Sequence, residues 1–186
     1  MALLLAIGPV AADTTPGGGS GTYFSSFAGS CSGSAARQTC TDRYLDVHPL
    51  GDGTSEACLD VFTYTISRNK SDFISDTYGC GSASVVVGSD WSATLAPTDL
   101  SVQTCAAHKR QCSGATTVTV SASDSAVGDA ATTTSRTVTK VGTCTYTTKS
   151  TQTDVELAGT MTIGGTTMDE QGFLSVIDAT TTVRCK

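Results

Sequence analysis

Residues 58–80 read CLDVFTYTISRNKSDFISDTYGC, and this stretch decides the fold. Its two cysteines stand at equal distances from Asn69. Between them lie two runs rich in aromatic and β-branched residues, separated by the turn-forming Ser67-Arg68-Asn69-Lys70-Ser71. The pattern is a β-hairpin tied at its open end by a Cys58–Cys80 disulfide. A regular ladder places Tyr64 opposite Ile74 and Thr65 opposite Phe73.

Alternation with period two recurs on both sides of this hairpin. In 116–123, Val118, Val120 and Ala122 share one face while Thr117, Thr119, Ser121 and Ser123 share the other. In 155–163, Val155, Leu157, Met161 and Ile163 oppose Glu156, Thr160 and Thr162. In 173–185, Phe173, Ile177, Ala179, Val183 and Cys185 fall on one side. Further strands are expected near 22–28, 41–48, 57–66, 72–79, 83–87, 91–96, 99–105, 131–141 and 143–149. No window of helical length carries an apolar stripe. Half-buried antiparallel strands with turn signals between them predict an all-β fold, an antiparallel β-sandwich of Ig-like or jelly-roll-like kind, stapled by disulfides. The run ATLAPTDLSVQTC (93–105) has the cadence of an Ig-like strand pair turning at Pro97. However, Cys80 and Cys105 flank Trp91 too closely for the usual inter-sheet bridge, and no family is assigned on it. Trp91, the sole tryptophan, is expected as a core plug.

Eight cysteines, Cys31, Cys40, Cys58, Cys80, Cys105, Cys112, Cys144 and Cys185, form an even set without Cys-x-x-Cys spacing. The two histidines, His48 and His108, are isolated from one another, so a disulfide framework is expected over a zinc site. Eight cysteines allow 105 connectivities. The hairpin favours Cys58 with Cys80, and Cys31 with Cys40 would close a Gly/Ser/Ala loop between two strands. Cys144 with Cys185 would tie the last strand back into the sheet, and Cys105 would pair with Cys112 across a short hairpin. The last pairing mixes faces in the following strand unless a one-residue bulge intervenes. The framework offsets a thin core. From Asp13 onward, Leu, Ile, Val and Phe supply 30 of 174 residues, below the ~20% at which composition alone begins to suggest disorder.

The opening MALLLAIGPVAA (1–12) carries a short apolar run ended by small residues, and is expected to be a secretory signal peptide. Residues 13–21 read as a flexible Gly/Ser linker and 22–186 as a single domain. No run approaches the roughly 20 apolar residues that a spanning helix needs. A secreted, extracellular location follows, with no membrane association after cleavage and a monomer as the default state. A single asparagine with abundant Ala, Gly, Thr, Val and Asp is the usage of a GC-rich bacterial genome. Net charge is −6 and the isoelectric point about 4.6, which argues against a nucleic-acid partner.

Catalytic patterns are scarce. There is no Gly-x-Ser-x-Gly elbow, no His-Glu-x-x-His and no phosphate-binding glycine loop, and no cofactor is expected. Paired carboxylates could come from Asp169/Glu170, Asp154/Glu156 or Asp72/Asp76, but acidic turn residues account for Asp169 and Glu170. The segment Cys105-Ala-Ala-His-Lys-Arg-Gln-Cys112 gathers His108, Lys109 and Arg110 in an otherwise acidic chain. These three are the candidate partner-binding residues. The leading expectation is a non-catalytic extracellular module that binds a protein or cell-wall surface through loops. A proteinase inhibitor presenting the 105–112 loop is the alternative, and a hydrolase of unrecognised type the third reading.

Overall fold

The computed structural model describes residues 20–34, 36–68, 70–107 and 112–185. The expected signal segment, most of the expected linker, and His108, Lys109 and Arg110 lie outside the described residues. Ten strands follow one another: β1 (Gly21–Ser34), β2 (Arg37–Pro49), β3 (Ser55–Ser67), β4 (Lys70–Ser82), β5 (Val85–Val87), β6 (Ala93–Ala106), β7 (Thr116–Ala126), β8 (Ala131–Val141), β9 (Cys144–Ile163) and β10 (Thr166–Cys185). No helix occurs among the described residues, and every ladder is antiparallel.

Hydrogen bonding runs β10-β1-β2-β3-β4-β6-β7-β9, and β9 pairs again with β10. The all-β antiparallel architecture is therefore present, and its two layers are walls of one continuous sheet closed into a barrel. Closure removes the free edges of those strands along the paired ring. Strand alternation fills the interior with Phe24, Leu45, Leu59, Leu100, Val120, Val155, Met161 and Leu174, all buried. Each such side chain contributes roughly 1.5–3 kcal/mol by leaving water. Trp91 packs half-buried against this core from the Gly88–Ser92 turn, with a positive φ of 63°.

Unequal ladders shape the two ends. β10 meets β1 only from Gly21 to Phe27, and β4 meets β6 only from Ser75 to Cys80. Beyond those points β1–β4 continue as a four-stranded flap, closed near its tip by Cys31–Cys40. At the opposite end β9 and β10 outrun the barrel. Residues 144–154 of β9 pair with β8 on one edge and with β10 on the other, making a three-stranded arm about 35 Å long. All of β8 is exposed, because no wall stands across from it. Hydroxyl pairs substitute for a core there: Thr132 with Thr153 (3.1 Å), Ser135 with Ser150 (2.8 Å) and Thr148 with Thr181 (2.9 Å).

The four disulfides join the expected pairs, Cys31–Cys40, Cys58–Cys80, Cys105–Cys112 and Cys144–Cys185. The bulge expected near Cys105 is present. Two residues separate Val102 from Cys105, and three separate Cys112 from Thr116, so the register slips by one. In the 58–80 hairpin a shift after Thr63 leaves Ile74 unpaired, so Tyr64 faces Phe73 and not Ile74. The segments 91–96 and 99–105 merge into β6 across an irregularity at Ala96-Pro97, and 143–149 merges with 155–163 into β9. β10 corrects the sequence reading. Leu174 and Val176 face inward while Phe173 is 38% exposed, because the expected face was one residue out of phase.

Candidate functional site

The sequence candidates scatter. The disulfide that closes the 105–112 loop is in place, while His108, Lys109 and Arg110 themselves lie outside the described residues. His48 lies 3.6 Å from Glu56 at the end of β2. Cys58 adjoins them, but its sulfur is bonded to Cys80 and offers no thiolate to a metal. Asp154 accepts from the Gln152 amide, and Asp72 pairs with Lys70 at 2.7 Å. The pairs Asp169/Glu170 and Asp72/Asp76 each split across the two sides of β4 or β10, since adjacent or bulge-shifted positions point apart.

Glu170 does not sit in a solvated turn. It lies in β10, 5% exposed, and faces Asp124 of β7, which is 3% exposed. Both are register partners of Gly159 in the intervening β9. A Cβ at Gly159 would run into the Ser123 carbonyl and the Asp124 carboxylate, so only glycine leaves room for the two acids to approach. Neither carboxyl meets an N–H, hydroxyl or amide donor among the described residues, and each has the other as its nearest ionisable neighbour. Burial pushes Glu170 up to about 9, with the hydrogen bond to Asp124 and its charge adding to the rise. Burial also raises Asp124, and the hydrogen bond from Glu170 partly offsets that. At neutral pH Glu170 therefore keeps its proton. Two surface clefts, of about 310 and 320 Å³, are lined by other residues. The sequence held a signal for this pair: continuing Val118, Val120, Ala122 by one step puts Asp124 inside.

The outer side of β1–β4 presents a second constellation. Register places Tyr44, Asp60 and Tyr78 in one row across β2, β3 and β4, and Asp42, Phe62 and Asp76 in the next. Aromatic and acidic side chains alternate both along and across the strands, a checkerboard extended by Phe27 on β1 and Asp46 on β2. The rings touch in a stripe: Phe27–Tyr44 at 5.0 Å between centroids, Tyr44–Phe62 at 6.1 Å and Phe62–Phe73 at 6.4 Å. Such contacts hold each ring in place while its outer surface stays accessible. The Tyr64 hydroxyl donates to Asp42 at 2.9 Å. Among the described residues no lysine or arginine stands on this side, since Arg43 turns to the other face and donates to Ser30 and to the Thr41 carbonyl.

The acids in the checkerboard influence one another. Asp60 is raised to about 7, first by burial, then by a hydrogen bond with Asp76 and by the charges of Asp76 and Asp46. Tyr44 is raised by burial and by Asp42, Asp60 and Asp46 around it. An aromatic surface with several carboxylates and, among the described residues, no lysine or arginine attracts cations, through ring quadrupoles and through charge. Sequence reasoning missed it because the aromatics are few and their assembly depends on strand register.

Comparison with known protein families, curated proteins and solved structures yields no match. Four disulfides are typical of extracellular proteins. No helix among the described residues is long and apolar enough to cross a membrane.

Proposed function

We propose that this chain is a secreted, non-catalytic extracellular module that binds a cationic polypeptide surface through the outer face of β1–β4. The observation that carries the reading is the checkerboard of Tyr44, Asp60, Tyr78, Asp42, Phe62 and Asp76. A lysine or arginine lying on it meets a ring and flanking carboxylates together. An exposed cation–π contact contributes about 0.5–1 kcal/mol and an exposed ion pair about 0.2–1 kcal/mol. Three or four such contacts contribute roughly 2–8 kcal/mol in total, and their ionic part makes the association salt-sensitive. This reading puts the surface on a sheet face and differs from the expectation of binding through loops.

Calorimetric titration of the mature protein with a Lys/Arg-rich peptide tests this, with a neutral oligosaccharide titrated in parallel. Saturable binding to the peptide is expected, reduced about 3- to 30-fold, the loss of roughly one exposed aromatic contact and one ion pair, in the double variant Asp42→Asn/Phe62→Ser. Binding of the oligosaccharide alone, or peptide binding untouched by the substitutions, overturns the reading.

A further inference from the structure

We infer that the cationic surface received by the β1–β4 face is the basic side of the β8–β9–β10 arm of a second copy of this chain. This rests on the reading of that face given above and names its occupant.

The two sides of the arm differ in charge. On the side continuous with the barrel interior stand Arg136 and Lys140 of β8, Lys149 of β9 and Arg184 of β10, all exposed, against one acid, Asp178 of β10. The other side carries a single charged residue, the acid Asp154 at the foot of the arm, and β8 presents Thr133, Ser135, Thr137 and Thr139 there. Arg136 is the direct register partner of Lys149, and Lys140 and Arg184 flank Thr145 on either side. Like charges set directly opposite destabilise a ladder. None of the four cations makes an ion pair among the described residues. An acidic partner relieves that repulsion. Inside the barrel the same side of β9 is lined with apolar residues; in the arm it has become a row of threonines and bases, so it is built to face something polar.

The molecule is charged oppositely at its two poles. The arm leaves the barrel where β1 begins and β2 ends, beside Gly21 and Pro49. The Asp42–Phe62–Asp76 row lies toward the opposite end, where the flap is closed by Cys31–Cys40. The arm points away from that row, so the contact is made between molecules. Spacing agrees: Asp42 and Asp46 are four residues apart on β2, as Arg136 and Lys140 are on β8, about 13 Å in each strand. Joining the arm of one copy to the flap of the next is a heterologous contact. It leaves a free arm and a free flap, and so grows into chains or closes into a ring. Net charge of −6 repels copies at long range, so the attraction is local and disappears as salt screens it.

Sedimentation velocity on the mature protein tests the inference at about 20 mM and about 500 mM salt, where screening lengths differ several-fold. Two charge-reversed proteins accompany it: an arm variant, Arg136→Glu/Lys140→Glu/Lys149→Glu, and a face variant, Asp42→Lys/Asp46→Lys. Circular dichroism and thiol counts check each fold first, with Gln and Asn replacing the reversed charges in any variant that fails. The wild type is expected to form species beyond the dimer at low salt, weakened at least tenfold at high salt. Each variant alone is expected to be monomeric, and the two mixed are expected to associate. A wild type that stays monomeric at low salt, or an arm variant that associates like wild type, overturns the inference. The Lys/Arg-rich peptide is titrated into the same samples. If it binds while the wild type is monomeric, the face reading stands and the second-copy occupant falls; if neither occurs, both fall.

Discussion

Asp124 and Glu170 face each other across Gly159 inside the barrel, with their carboxyl oxygens out of reach of any other donor among the described residues. A carboxyl whose pKa is raised by folding keeps its proton where the unfolded chain has already released it. Folding is then favoured by acid, and stability declines as pH climbs from the ordinary glutamate range towards about 9. The melting temperature is therefore expected to fall between pH 5 and pH 9. Glu170→Gln, which still donates to Asp124 without titrating, is expected to melt higher than wild type at pH 8 and to flatten the profile. Calorimetric melting across that range checks both.

Gly159 makes the acid pair sterically possible. Gly159→Ala drives a methyl group into the Ser123 carbonyl and the Asp124 carboxylate. A loss of about 1–3 kcal/mol is expected, the usual cost of overpacking, read from urea denaturation. The same substitution at Gly128, where a Cβ meets nothing within 4 Å, serves as the control.

Cys144–Cys185 closes the open end of the β9–β10 hairpin, far from its Gly164-Gly165 turn, where both glycines have positive φ. Replacing both cysteines by serine removes the tie at the tip of an arm that has hydroxyl contacts in place of a core. Amide exchange is expected to accelerate across 131–154 and 178–185 while Leu157, Met161 and Leu174 keep their protection. Uniform acceleration throughout the chain would show instead that the arm and barrel unfold together.

The checkerboard should respond to pH near neutrality. Asp60 is faced by Tyr44 and Asp46 from β2 and by Asp76 and Tyr78 from β4, and its pKa of about 7 reflects burial first and then the hydrogen bond and charge of Asp76. Below that value the face carries one negative charge fewer. Affinity for a Lys/Arg-rich peptide, whose own charges stay constant, is expected to rise from pH 6 to pH 8. Asp60→Asn is expected to abolish the rise. This trend runs opposite to that of stability, so the two effects can be told apart in one protein.

Much of the architecture was legible in period-two alternation, because a strand half buried in a barrel wall must show it. Val118, Val120 and Ala122, and Val155, Leu157 and Met161, point inward as their spacing demands. The Cys58–Cys80 bridge followed from hairpin symmetry, and the other three from the loops and strand ends they close. Barrel closure was not legible, since pairing of β9 with both β7 and β10 is a long-range choice that no local pattern encodes. β10 was read one residue out of phase because Phe173 is larger than Leu174, yet the inward position belongs to the leucine. The acid pair and the checkerboard stayed hidden for a related reason. Each is assembled from three or four strands, and a bulge such as that at Ile74 decides which residues share a face.

The central claim is that the outer side of β1–β4 is the binding surface, and one measurement addresses it most directly. Amide and aromatic resonances of the isotope-labelled mature protein are followed by NMR while a Lys/Arg-rich peptide is added. The account predicts saturable shifts confined to the neighbourhood of Phe27, Tyr44, Asp60, Phe62, Asp76 and Tyr78. Shifts centred on the 105–112 loop, or none at saturating peptide, would contradict it.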